Sequence, residues 1–321
     1  MSKTLKKNLK IILPIALGVF LIWYWYSSTL PEDRQQILYY IKDADLFWVG
    51  ISIILGMLGH LSRAIRWNYL LEPLGYRPKV SNNVLIILMS YFANLGIPRM
   101  GELLRPTALA TYEGVPFEKG LGTIVTERVI DVLMLLSLIA ITFLLHTNII
   151  LGFFQESGIE LGGILALLGM AVVGLVVFII FIKKSDHRSA LKLKDMYKGL
   201  IDGVLSIFKM KNKWPFVLHT LFIWGCYIGM LWVIKFTVLE TVDLSLSQLM
   251  VAFVAGAMAM ATTNGGIGIY PIAISKALAI FGISTVSGDA FGWIMWISQT
   301  LMIVLFGAIS FLLLPLLNRN R

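Results

Sequence analysis

The sequence predicts an all-α fold: a polytopic helical membrane protein with six full spans and two broken or re-entrant helical hairpins, its halves forming a possible inverted-topology repeat. Three observations predict this. First, 58% of the 321 residues are hydrophobic and 14% charged, with a mean hydropathy of +0.82. A soluble domain does not carry apolar runs of this length and number. Second, two apolar stretches are interrupted. Ser81–Val115 breaks at Asn94-Leu95-Gly96-Ile97-Pro98-Arg99, and Leu246–Gly282 breaks at Thr262-Thr263-Asn264-Gly265-Gly266-Ile267-Gly268. Hydrocarbon cannot solvate the N–H and C=O groups freed at a break, so a break at depth must sit inside protein or beside water. Paired interruptions in the two halves of a membrane protein point to a transport site. Third, the net charge of +9 is concentrated in two segments. Lys3, Lys6, Lys7 and Lys10 open the chain, and 183–213 carries nine Lys/Arg against Asp186, Asp195 and Asp202. Such clusters mark cytoplasmic segments and contact with anionic lipid headgroups rather than nucleic acid.

The elements follow in order. Ile11–Tyr26 is apolar behind four lysines and resembles a signal sequence, but bulky Trp23-Tyr24-Trp25-Tyr26 stands where a small-residue cleavage site would be. It reads as a retained anchor leaving the cytoplasm. Glu32–Lys42 is a short amphipathic candidate on the outer face. Leu46–Ser62 returns to a basic segment with Arg63, Arg66, Arg77 and Lys79. The first hairpin starts there, on the cytoplasmic side. Lys119–Leu145 crosses out to Glu156 and Glu160, and Leu161–Ile182 returns to the basic loop. Within that loop, apolar residues from Leu191 to Phe208 recur at helical spacing between lysines, as in a helix lying on the inner leaflet. Trp214–Thr237 crosses out to Glu240 and Asp243, so the second hairpin starts outside. Ala290–Leu317 brings the chain back to Arg319 and Arg321. The chain thus reads as one transmembrane domain over 1–321: a first half 11–145 with hairpin 81–115, a cytoplasmic basic segment 183–213, and a second half 214–317 with hairpin 246–282. Both termini are cytoplasmic. Ala108-Leu109-Ala110 before Gly114-Val115 is matched by Ala277-Leu278-Ala279 before Gly282-Ile283, a weak echo of the inverted arrangement.

The chemistry-bearing residues cluster at the breaks. Pro98 disfavours helix before it, so a half-helix is expected from near Met100, its positive end facing the break. Arg99 and Asn94 flank that break. Glu102 and Arg105 lie three apart on the new helix; they form an ion pair, or Glu102 rests on the helix N-terminus while Arg105 reaches the surface. Glu127, Arg128 and Asp131 lie within the next span. An ionisable group there costs about 2.5–3.5 kcal/mol on the mildest scale, so all three must face protein or water, with Arg128 reaching Asp131 at i+3. Arg99, Glu102, Arg105, Glu127, Arg128 and Asp131 together are neutral, as in a mutually paired network. Arg63 and Arg66 would add positive charge suited to phosphate, or simply snorkel. At the second break Asn264, Gly265, Gly266 and Gly268 permit unusual backbone angles and close approach, or tight helix packing. Pro271, after Tyr270, suits the first turn of a second half-helix.

Other chemistries find no support. His60, His146, His187 and His219 lack metal-ligand spacing, there is no Gly-x-Ser-x-Gly element, and no Gly-Lys-Ser/Thr follows the glycines. Cys226 has no partner for a disulfide. Lys235 and Lys276 are isolated and could snorkel. No catalytic residue, metal site or cofactor is expected.

At these residues the chain resembles the lysylphosphatidylglycerol synthase transmembrane-region family of flippase-like membrane proteins. Arg63-Ala64-Ile65-Arg66-Trp67, Pro98-Arg99-Met100-Gly101-Glu102 with Arg105, Glu127-Arg128-Val129-Ile130-Asp131 and Gly265-Gly266-Ile267-Gly268 carry the resemblance, over about residues 10–315. Many members carry a Glu after the glycine turn; here Tyr270-Pro271 stand in that region. The resemblance implies a bacterial inner-membrane protein that moves lipids or lipid-linked precursors between leaflets. Larger relatives carry a soluble aminoacyl-transferase domain; this chain ends at Arg321, so lipid aminoacylation by it alone is not expected. The expected function is translocation of an anionic phospholipid or polyprenyl-phosphate lipid, a transporter rather than an enzyme. Arg63, Arg66 and Arg99 would attract phosphate. Glu102, Arg105, Glu127, Arg128 and Asp131 would switch at an inner vestibule. Asn94, Asn264, the 265–268 turn and Tyr270 would line the site. The alternative is a membrane-embedded transferase, with Glu127 or Asp131 as general base, or a lipid-presenting partner of an envelope-biosynthesis enzyme; a scaffold for such enzymes is a third reading. With no nucleotide-binding motif, the expected driving force is an ion gradient, the membrane potential or the lipid gradient.

Overall fold

The computed structural model describes residues 3–147 and 210–319. They form ten α-helices, with no strand among the described residues. The chain divides into two compact units, Met1–Ile124 with Lys211–Arg321, and Val125–Met210.

In the first unit, α1 (Lys3–Ser28) and α2 (Pro31–Lys42) precede α3 (Leu46–Leu71), which Asp45 caps by accepting from the Phe47 N–H at 2.9 Å. The first hairpin is α4 (Val80–Gly96) and α5 (Met100–Glu113). After α6 (Phe117–Leu145) begins, the unit resumes with α7 (Lys213–Ile234). The second hairpin is α8 (Leu246–Met260) and α9 (Ile269–Ala279), and α10 (Thr285–Leu317) closes the unit. Ser245 and Gln248 make a reciprocal capping box that fixes the start of α8.

α3 packs along α7, and α10 packs on α9, α4 and α2. Glycines set these approaches. A Cβ on Gly292 would stand 2.7 Å from Pro271 Cα, and one on Gly288 2.9 Å from Ser275 Oγ, so α9 lies directly against α10. The main apolar core gathers Leu231 and Ile234 of α7, Ala252 of α8, Ile274 and Leu278 of α9, and Ala290, Phe291 and Ile294 of α10.

Four helices are long and apolar enough to cross a membrane among the described residues: α3 with its following turn (Leu46–Leu74), α6, α7 with its following turn (Lys213–Thr237), and α10. The described part of the protein is all-helical, and these four helices are those of a membrane protein. Ile11–Tyr26 lies inside α1, whereas the expected span 161–182 and most of the basic segment 183–213 lie outside the described residues. Both hairpins are built of shorter helices. The 17 residues of α4 reach only about 25 Å at about 1.5 Å each, short of the ~30 Å hydrocarbon layer.

Two boundaries differ from the sequence reading, for one reason. The second span does not end at Ser62, because α3 continues to Leu71 and buries Arg63 and Arg66. The last span does not begin at Ala290, because α10 starts at Thr285, capped by Ser284, and buries Asp289. In both cases a charged residue was read as the edge of the membrane, while the structure encloses it in protein. Lys235 is a third instance. It does not snorkel: it is buried, donates to Leu244 O at 2.7 Å and lies 3.8 Å over the Trp232 ring.

Candidate functional site

The first break is tighter than expected, only Ile97-Pro98-Arg99. Arg99 turns the chain with φ +58°, a left-handed conformation that is rare outside glycine. α5 starts at Met100 as expected. Its first turn is capped from across the break, where Asn94 Oδ1 accepts the Gly101 N–H at 2.7 Å. Only glycine fits there: a Cβ at 101 would stand 2.5 Å from Ser90 O.

The second break spans 261–268 and contains Gly265, Gly266 and Gly268 at φ +60°, +72° and +76°. Thr263 Oγ1 donates to Ile267 O at 3.2 Å, and Trp296 of α10 donates its indole N–H to Gly265 O at 2.8 Å. Asn264 is buried with its Nδ2 unpartnered, a costly state for a buried donor. Tyr270 is buried too and packs on Gly256 of α8, where a Cβ would stand 2.7 Å from its ring.

The two breaks meet. Leu95, in the last turn of α4, lies against Gly265; a Cβ there would stand 2.8 Å from Leu95 Cδ2. α1 covers the second break from another side, with Gly268 against Gly18 O at 2.7 Å on the same measure. Asn94 and Asn264 therefore belong to one convergent pair of interrupted hairpins.

Arginines form a second assembly. Arg63 and Arg66 stand one turn apart on α3 and are 2% and 0% exposed. Arg63 Nη2 donates to Tyr227 Oη at 3.1 Å, and Arg66 Nη1 to Thr220 Oγ1 at 3.1 Å, both on α7. Arg105 of α5, 3% exposed, lies 4.3 Å over the Trp67 ring, and Trp67 donates to Thr123 Oγ1 at 2.8 Å. His60, one turn before Arg63, is buried against Tyr91 of α4 with ring centroids 4.7 Å apart. The buried guanidiniums of Arg63, Arg66 and Arg105, with hydroxyls and aromatic faces among their contacts, have the chemistry to meet an anion, since planar guanidinium forks match phosphate oxygens.

Arg99 is exposed. Glu102 stands half-buried in the first turn of α5, where a carboxylate complements the helix N-terminus. In the second unit, Glu127 is buried and Arg128 lies 3.7 Å from Asp131, the i,i+3 pair expected from the spacing. The sequence reading gave Trp67 no site role beyond its motif and passed over Thr123, Thr220 and Tyr227, because their roles come from helices distant in the chain. It placed Trp25 only in the bulky aromatic run that ends the anchor, and it passed over Asp289 and Trp296. A carboxylate followed by a continuous apolar run was the available signal for Asp289.

With this geometry in view, a family model described as the lysylphosphatidylglycerol synthase TM region matches residues 11–307. The chain belongs to that family. Among curated proteins, it is 29% identical over 138 residues to the UPF0104 membrane protein MJ1595 of Methanocaldococcus jannaschii, covering 42% of this chain and 39% of that one. It is 29% identical over 111 residues to the glycosyltransferase AglD of Haloferax volcanii, covering 34% of this chain and 18% of that one. The chain thus spans well under half the length of both relatives. No solved structure matches. The motifs on which the sequence resemblance rested fall at both assemblies: Arg63–Trp67 and Arg105 in the arginine cluster, Pro98–Gly101 and Gly265–Gly268 at the two breaks.

Proposed function

We propose that this member of the family is a lipid translocase that moves an anionic phospholipid or polyprenyl-phosphate lipid between leaflets, in a bacterial inner membrane with both termini cytoplasmic. The observation that carries the reading is the burial of Arg63, Arg66 and Arg105 in a protein whose two interrupted hairpins converge at Leu95 and Gly265. Buried charge within a membrane protein is costly and marks a pathway or binding site. Interrupted helices supply polar backbone where continuous ones would not.

On this reading the arginines hold the phosphate, while the acyl or prenyl tails stay in lipid. Asn264 and the glycine turn present polar groups to the headgroup as it passes the breaks. Glu102 and the Arg128–Asp131 pair are ionic elements that change partners during the cycle. The six-span count, with re-entrant hairpins, belongs to the same proposal. The test is leaflet exchange of labelled phosphatidylglycerol in reconstituted vesicles. The wild-type protein is expected to accelerate exchange, and Glu102→Gln and Arg128→Ala to slow it while remaining folded. Equal rates in all three would refute the reading.

A second reading has one observation of its own, the likeness to the glycosyltransferase AglD. The chain would then be a membrane-embedded transferase or would present lipid to an envelope enzyme, with Glu127 or Asp131 acting as a base. Turnover of a lipid-linked donor by the purified protein, with no leaflet exchange, would favour it.

A further inference from the structure

Asp289 is a buried carboxylate that the arginine assembly and the breaks leave unexplained. It is 4% exposed and sits in the second turn of α10. Trp25 of α1 donates its indole N–H to Asp289 Oδ2 at 2.6 Å, across 264 residues of sequence. From α9, Ser275 lies against the start of α10, its hydroxyl donating to Thr285 O at 3.3 Å, and Lys276, itself exposed, is a neighbouring positive charge. α2 also packs on α10 and brings Tyr40 to the adjoining core.

Asp289 begins a stripe of three residues on α10. Trp293, one turn on, meets the Trp25 ring edge-on with centroids 5.3 Å apart. Trp296, a further turn on, meets the Trp293 ring edge-on with centroids 5.7 Å apart and donates to Gly265 O in the second break. The spacing i, i+4, i+7 puts all three on one helix face. One face of α10 therefore grips α1 through Asp289 and the second break through Trp296. α1 itself lies on that break, Gly18 against Gly268. The only charge in the stripe is Asp289.

We infer that Asp289 is a proton-binding site that latches α1 over the second break. Ionised, the carboxylate accepts a short charge-assisted bond from Trp25, a bond about twice as strong as a neutral one. When Asp289 takes up a proton, the carboxylate loses its charge and the latch weakens. α1 then separates from Gly268 and opens the break. Reprotonation and release across the membrane would link the α1 movement to a proton gradient. This rests on the translocase reading for its consequence, but not for the latch itself.

The test has two arms. In the first, the full-length protein in vesicles of phosphatidylcholine with phosphatidylglycerol is titrated by infrared spectroscopy. A protonated carboxyl band is expected to grow as pH falls and to be missing in Asp289→Asn. In Trp25→Phe, which removes the donor to the ionised form, the band should appear at higher pH. A spin-label pair on α1 and α9 should separate over the same range in the wild type, and be separated at every pH in Asp289→Asn. A band unchanged in Asp289→Asn, or an α1–α9 distance that ignores pH, overturns the inference. In the second arm, leaflet exchange of labelled phosphatidylglycerol is followed with and without an imposed pH gradient. The gradient is expected to stimulate the wild type, with that stimulation lost about tenfold or more in Asp289→Asn. Equal stimulation of both would contradict proton coupling at this residue. No exchange by the wild type, alongside a normal titration and α1 release, would sink the translocase reading and leave the latch standing.

Discussion

Arg105 lays its guanidinium 4.3 Å over the indole of Trp67, and that indole is fixed by donating to Thr123 Oγ1. The stack orients a buried cation. A desolvated cation–π contact contributes about 2 kcal/mol. Trp67 is fully buried, so Trp67→Ala should cost about 3–5 kcal/mol from the cavity alone. Trp67→Phe keeps an aromatic face and loses one hydrogen bond, worth about 0.5–1.5 kcal/mol. Thermal unfolding in detergent is expected to rank wild type above Phe and Phe well above Ala. Arg105→Lys should unfold near wild type yet bind anionic lipid more weakly, because an ammonium lacks the planar fork.

Gly268 and Gly225 make a contrasting pair. At 268 the backbone is left-handed and α1 lies against it, so Gly268→Ala suffers both a strained φ and a collision with Gly18 O. At 225, within α7, a Cβ meets nothing within 4 Å. Gly225→Ala should therefore be neutral or stabilise by about 0.5–1 kcal/mol, as alanine does in helices. Gly268→Ala should lower the melting temperature and loosen α1, read as faster proteolysis or hydrogen exchange in residues 17–28. A melting temperature for Gly268→Ala equal to that of Gly225→Ala would contradict the packing described.

Glu240, outside the spans, accepts from the Ser284 N–H at 2.9 Å and ties the 239–241 turn to the start of α10. The Ser284 donors hold its carboxyl below the usual glutamate range. A lowered folded-state value stabilises the fold fully above the unfolded-state value, and that contribution disappears as pH falls through the folded one. Glu240 is exposed, so the effect is small. Wild type should exceed Glu240→Gln in melting temperature near neutral pH, with the two curves converging in acid. A gap that widens as pH falls would contradict the bond.

Much of the fold was legible in the sequence because membrane helices announce themselves by length and apolarity. The starts of α5 at Met100 and α9 at Ile269 were legible too, since proline and glycine constrain the backbone locally. The Arg128–Asp131 pair followed from helical spacing alone. What was not legible came from tertiary enclosure. A charge in an apolar run looks like a water boundary until another helix is seen to cover it, as α7 covers Arg63 and Arg66, and as α1 covers Asp289. The convergence of the breaks was inferred from topology, but the residues that make it, Leu95, Gly18 and Trp296, carry no sequence signature. Leucine, glycine and tryptophan are ordinary residues of membrane helices.

The central claim is that the buried arginines receive an anionic lipid headgroup. It is tested most directly by native mass spectrometry of lipids retained when the protein is extracted from its own membrane. The account predicts that bound lipid is enriched in anionic or phosphate-terminated species over the bulk membrane, and that Arg63→Gln with Arg66→Gln abolishes the enrichment. Retained lipid that mirrors the bulk membrane in the wild-type protein would contradict it.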